Sequence, residues 1–117
     1  MVFYQLEIVV LENKFDEFIE SLFFLSSGIR KEDGCVDFSL YRDLENKDAY
    51  RMIAEWKTQK AMEKHFKQKL FPVLIGAVKA LGKDFEMNIG DTLEKGSYPL
   101  AKKKITLLQR TGKKKGA

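Results

Sequence analysis

One side chain in this sequence titrates near neutrality: His65, the sole histidine among 117 residues. An imidazole with an ordinary pKa of about 6.5 can take a proton from a weak acid and return it at neutral pH, so His65 is the candidate general base. It lies four residues after Ala61 and three after Met62, at the edge of an apolar helical stripe where a pocket could reach it. A half-exposed helix position without a role fits the same spacing. Trp56, Phe66 and Phe71 are candidate walls for an aromatic ligand, and Tyr4 and Tyr41 could hydrogen-bond a ligand oxygen. Each of these residue types also serves simply as core.

Other chemistries lack their residues. The single cysteine, Cys35, follows Gly34 with no base near it in sequence, so it is not expected to be a nucleophile. No Cys/His pair has metal-ligand spacing, and no glycine loop suits a phosphate or a dinucleotide. The expectation is therefore no metal, no flavin, no nicotinamide and no nucleotide cofactor.

The elements that must position these groups can be read from the pattern. Residues 2–11 have strand composition, with Val2, Tyr4, Leu6, Ile8 and Val10 on one side; Gln5 and Glu7 break the opposite, otherwise apolar side. Asn13 is placed to cap a helix over 14–31, whose Phe15, Phe18, Ile19, Leu22, Phe23 and Ile29 recur at helical spacing. Residues 35–43 alternate, with Val36, Phe38 and Leu40 opposite Cys35, Asp37, Ser39 and Tyr41. A polar turn leads to a returning strand over 49–57, with Tyr50, Met52, Ala54 and Trp56 on one side and Arg51, Ile53 and Glu55 on the other; Arg51 is expected to pair across the hairpin with an acid such as Asp37. Thr58 caps the next helix. Pro72, which lacks an N–H, splits it into about 58–69 and 72–82. Residues 84–91 form a last strand with Phe85, Met87 and Ile89 inward. The order β-α-β-β-α-β predicts an α+β, ferredoxin-like sheet with helices on one face. Its other face needs cover, and a homodimer supplies it.

Composition agrees with one domain: 44% of residues are hydrophobic and 32% charged, and the chain is too short for two ordinary cores. The net charge of +4 is unevenly spread. Residues 1–91 carry 13 basic and 16 acidic residues, whereas 92–117 carry eight basic residues and one acid. Residues 1–91 are thus the expected domain, and 92–117 a basic tail, partly disordered or added to the sheet as an edge strand. A basic footprint confined to a tail argues against nucleic acid as a partner of the fold. The N-terminus has no basic region or cleavage site, and no apolar run is long enough to span a bilayer. A lone cysteine suits a reducing compartment, so the expected location is cytoplasmic, with no membrane partner.

The run Gly34-Cys35-Val36-Asp37-Phe38-Ser39-Leu40-Tyr41-Arg42-Asp43 resembles the "pGC..f.ly.d" strand of the antibiotic biosynthesis monooxygenase family. Glu55-Trp56-Lys57-Thr58 through His65-Phe66 is similar to that family's "EW.s..a...H" run, and the likeness extends over about residues 2–91. The resemblance implies a dimeric α/β barrel, with a small pocket in each subunit between sheet and helices. It also implies dioxygen-dependent oxidation of an aromatic or quinol-like molecule without a cofactor. His65 would then be the base, with Trp56, Tyr4, Tyr41, Phe66 and Phe71 around the substrate. The haem-degrading branch of that family is not matched: the first strand has no Asn, His65 stands at its Trp position, and its His falls near Ile75. Two rival functions stay open. One is a non-catalytic dimer that binds a small molecule in the same pocket, and the other is an anionic-polymer binder acting through the lysine tail.

Overall fold

A computed structural model describes the backbone of residues 1–116 and the side chains of residues 1–107. Strand alternation sends Tyr4, Leu6, Ile8 and Val10 to one side of β1 (Val2–Val10), where all four are buried. Tyr50, Met52, Ala54 and Trp56 do the same on β3 (Ala49–Trp56), paired antiparallel with β1 so that Tyr4 faces Ala54 and Leu6 faces Met52. With β2 (Cys35–Arg42) and β4 (Gly82–Asp91) they form an antiparallel sheet in the order β2-β3-β1-β4. Helices α1 (Phe15–Arg30), α2 (Gln59–Phe66) and α3 (Leu70–Leu81) cover the buried side, through Phe18, Leu22, Leu25, Ile29, Met62, Leu74 and Val78. This is the expected ferredoxin-like α+β arrangement.

Several local expectations give way to packing. Pro72 sits at the third position of α3, which begins at Leu70; the whole first turn lacks intrahelical acceptors, so a missing N–H is tolerated there. Lys14, not Asn13, holds the N-cap position of α1, without a side-chain cap bond, because a turn closed by Lys14 N–H to Leu11 O delays the helix by one residue. Phe23 points to solvent at 67% exposure, and Leu25 takes a place in the core instead. On edge strand β4, Phe85 packs on the core, but Met87 and Ile89 are exposed because no helix extends over that end. Arg51 pairs with Glu7, its direct neighbour across β1 and β3, at 2.7 Å, and not with Asp37. The segment from residue 92 adds no edge strand: α4 (Tyr98–Gly116) is a helix. The side chains of Lys113–Lys115, assigned to a loose end, lie outside the described ones.

A bulge between Cys35 and Asp37 decides which side chain of β2 meets Trp56. It leaves Val36 exposed and turns Cys35 toward the core opposite Trp56, reversing the alternation at the start of that strand alone. The turn before it holds Gly34 at φ +81°, a conformation that disfavours a Cβ, and a Cβ built there would lie 2.5 Å from the Ala61 Cβ. Gly34 O accepts from Lys57 N–H at 2.9 Å, which pins this turn beside the start of α2. Gly34→Ala should therefore lower unfolding free energy by at least about 1 kcal/mol, read from urea denaturation. An unchanged midpoint would show that the turn is not the clamp.

Candidate functional site

Thr58 starts α2 by accepting the Ala61 N–H at 3.1 Å, and this fixes the helix so that its last turn aims His65 back at the sheet. The imidazole is 1% exposed. Both of its nitrogens are partnered. Nε2 lies 2.7 Å from the Tyr4 hydroxyl, and Nδ1 lies 3.0 and 3.1 Å from the two carboxylate oxygens of Glu32. Trp56 stacks on the ring at 4.5 Å between centroids, and Phe66 and Phe71 close the remaining sides at 5.9 and 5.5 Å. Phe66 and Phe71 lie on either side of the break between α2 and α3.

Electrostatics fixes the proton positions. Burial holds the His65 pKa below its usual value, although Glu32 opposes the shift through its hydrogen bond and charge. The ring is therefore neutral at pH 7, and a neutral imidazole has one N–H. A carboxylate can only accept, so Nδ1–H donates to Glu32 and the Nε2 lone pair accepts from the Tyr4 O–H. Burial, with Glu32 and Cys35 adding to it, pushes the Tyr4 pKa far above the phenol range and keeps that proton in place. Burial chiefly, with Glu32 and Asp37, also raises the Cys35 thiol, which fits an unreactive sulfur. The Trp56 Nε1–H is buried without an acceptor. An orphaned donor of this kind costs about 1–3 kcal/mol.

Five of the residues singled out in the sequence thus meet: His65, Trp56, Tyr4, Phe66 and Phe71. Tyr41 does not join them. It is 56% exposed on the opposite side of the sheet, where alternation on β2 must put it, beside an open groove of about 550 Å³ lined by Glu7, Arg51, Ile53 and Glu86. Glu32 was not singled out, since it lies 33 residues from His65 in a turn and only the fold joins them. Among the described residues no cluster of His, Cys, Asp or Glu is arranged to hold a metal ion. Among the described residues no helix is long and apolar enough to cross a membrane.

The family model for antibiotic biosynthesis monooxygenases matches residues 1–73. No curated protein matches the sequence. Solved structures share the fold. A putative antibiotic biosynthesis monooxygenase from Deinococcus radiodurans is 20% identical with a TM-score of 0.75, over 83% of this chain and 97% of that one. A conserved protein from Methanosarcina mazei is 26% identical with a TM-score of 0.72, over 78% and 91%. SnoaB from Streptomyces nogalater, a cofactor-independent oxygenase solved as a mutant, is 20% identical with a TM-score of 0.72, over 80% and 94%.

The neutral buried imidazole makes a signed prediction. The unfolded chain binds a proton at His65 near pH 6.5 and the folded chain only at lower pH, so acid favours unfolding through this group. Its contribution is complete above the unfolded value and is lost as pH falls from there toward the depressed folded value. Between about pH 7.5 and about pH 5.5 the wild type should lose stability more steeply than His65→Gln, by at most about 1.4 kcal/mol per pH unit. Parallel urea-midpoint profiles for the two proteins would contradict the assignment.

Proposed function

The chain belongs to the antibiotic biosynthesis monooxygenase family, and on that premise we propose that it oxidises a small aromatic or quinol-like molecule with dioxygen, using no cofactor. The observation that carries this reading is the hydrogen-bonded run Glu32–His65–Tyr4, buried in an aromatic enclosure beside an unpartnered Trp56 N–H. A phenol or quinol must lose its proton before its anion can pass an electron to dioxygen. His65 Nε2 is the base. Its lone pair is held by the Tyr4 O–H in the closed state, so a substrate hydroxyl either displaces Tyr4 or delivers its proton through it. Glu32 steadies the imidazolium that forms, as a carboxylate paired with Nδ1–H does. Trp56 Nε1–H supplies a donor to the oxygen of the bound anion, and Phe66 and Phe71 stack against its ring.

Tyr4, Trp56 and His65 are at most 1% exposed, so a substrate enters only when Phe66 and Phe71 move aside at the α2–α3 break. Tyr41 has no part in this chamber. It belongs to the open side of the sheet, where Phe3, Val9 and Ile53 are half-buried and the Arg51–Glu7 pair neutralises its own charges. That surface suits a second copy of the chain, giving a homodimeric barrel. With one cysteine and no internal disulfide to preserve, the cytoplasm is the fitting compartment.

Protein freed of metal and flavin should consume dioxygen with a panel of hydroquinones and anthrones. His65→Ala should slow this by at least about tenfold, a floor set below the roughly 100-fold that a positioned base contributes at the low end. Equal turnover by the variant would remove His65 from the chemistry. Retention of the same compounds in native mass spectrometry with no oxygen uptake would reassign the chamber to ligand binding.

A further inference from the structure

The three solved structures described above are matched over 91 to 97% of their own length yet cover only 78 to 83% of this chain, a shortfall about as long as α4. Its first turns expose Tyr98 at 71% and Ile105 at 55%, with Lys102 between them. Residues 98, 102 and 105 fall on one stripe of a helix. Elsewhere on the molecule, α1 presents a matching stripe. Asp16, Glu20 and Phe23 share its outer face, with Phe24 beside them at 75% exposure. Adjacent exposed phenylalanines flanked by acids form a surface that water solvates poorly and that a cation flanked by apolar groups would complete.

From this complementarity we infer that α4 is a strap: its Tyr98–Lys102–Ile105 stripe docks on the Asp16–Glu20–Phe23 stripe of α1 in a second copy of the chain. Topology supports a partner's α1. The free edges of the sheet are β2 and β4; α4 follows β4, and α1 lies against β2. When the β4 edge of one copy meets the β2 edge of another, the chain leaving β4 is carried toward that copy's α1. Charge favours the same occupant, since residues 92–117 carry eight basic residues and one acid while residues 1–91 carry three more acids than bases. The strap rests on the homodimer proposed above and adds a second grip to it.

Ordinary and heavy-nitrogen protein, mixed after unfolding and refolded together, can be coupled with a zero-length carbodiimide and analysed by mass spectrometry. Lys102 should link to Asp16 or Glu20, and about half of those linked peptides should pair light with heavy, the random value for a symmetric dimer. Lys102→Glu should weaken self-association at least about fivefold, and adding Glu20→Lys should restore it. Links confined to one isotope, or no link at all, would overturn the strap. So would retention on phosphatidylserine vesicles that Lys102→Glu abolishes while self-association is unchanged. A chain that sediments as a monomer removes the dimer as well; a stable dimer without these links removes only the strap.

Discussion

An imidazole removed from water needs a partner for each ring nitrogen, and much of this fold can be understood as meeting that need at His65. Leaving one nitrogen unmatched in a dry interior costs about as much as a sizeable core truncation. The partners come from opposite ends of the chain's first third: Tyr4 from the central strand and Glu32 from the turn after α1. Bringing them together requires the split β-α-β-β-α-β order, the sharp turn at Gly34 and the bulge that tucks Cys35 against Trp56. The aromatic shell then excludes water, so the histidine stays uncharged and a lone pair faces the interior.

This arrangement links the stability of the fold to the chemistry proposed for it. In the reaction proposed above, the charge that His65 gains with a proton has its counter-charge in Glu32, 3.0 Å from Nδ1. The same burial that disfavours the imidazolium also strengthens the hydrogen bonds from His65 to Tyr4 and Glu32. The exposure of Glu32, whose side chain is 9% accessible while that of His65 is at 0%, gives the hydrogen-bonded run a direction. Tyr4 lies at the deep end and Glu32 nearest to solvent.

Much of the framework was legible in the sequence, and the reasons are local. Alternation on β1 and β3 identified the buried residues because a strand has only two sides, and Thr58 announced α2 because its hydroxyl meets a free backbone N–H. His65, Trp56 and Tyr4 were each marked by residue type alone, and it is the fold that brings them into contact. Glu32 was hidden, since nothing within a turn marks a carboxylate that will contact a residue 33 positions away. The placement of Val36 was hidden as well, because a one-residue bulge inverts the side on which it falls. Met87 and Ile89 carried an inward pattern, but an edge strand is buried only where a helix reaches it, and here none does. The lysines of 92–117 suggested a loose tail, yet Lys and Leu are strong helix formers and the segment is helical from Tyr98.

Because the chain has a single histidine, nitrogen NMR of isotope-labelled protein at neutral pH observes His65 alone. The ring should show a protonated Nδ1 and an unprotonated, hydrogen-bond-accepting Nε2, held as one tautomer. A protonated Nε2, a rapid mixture of the two tautomers, or a charged imidazolium at that pH would contradict the Glu32–His65–Tyr4 assignment on which the proposed chemistry stands.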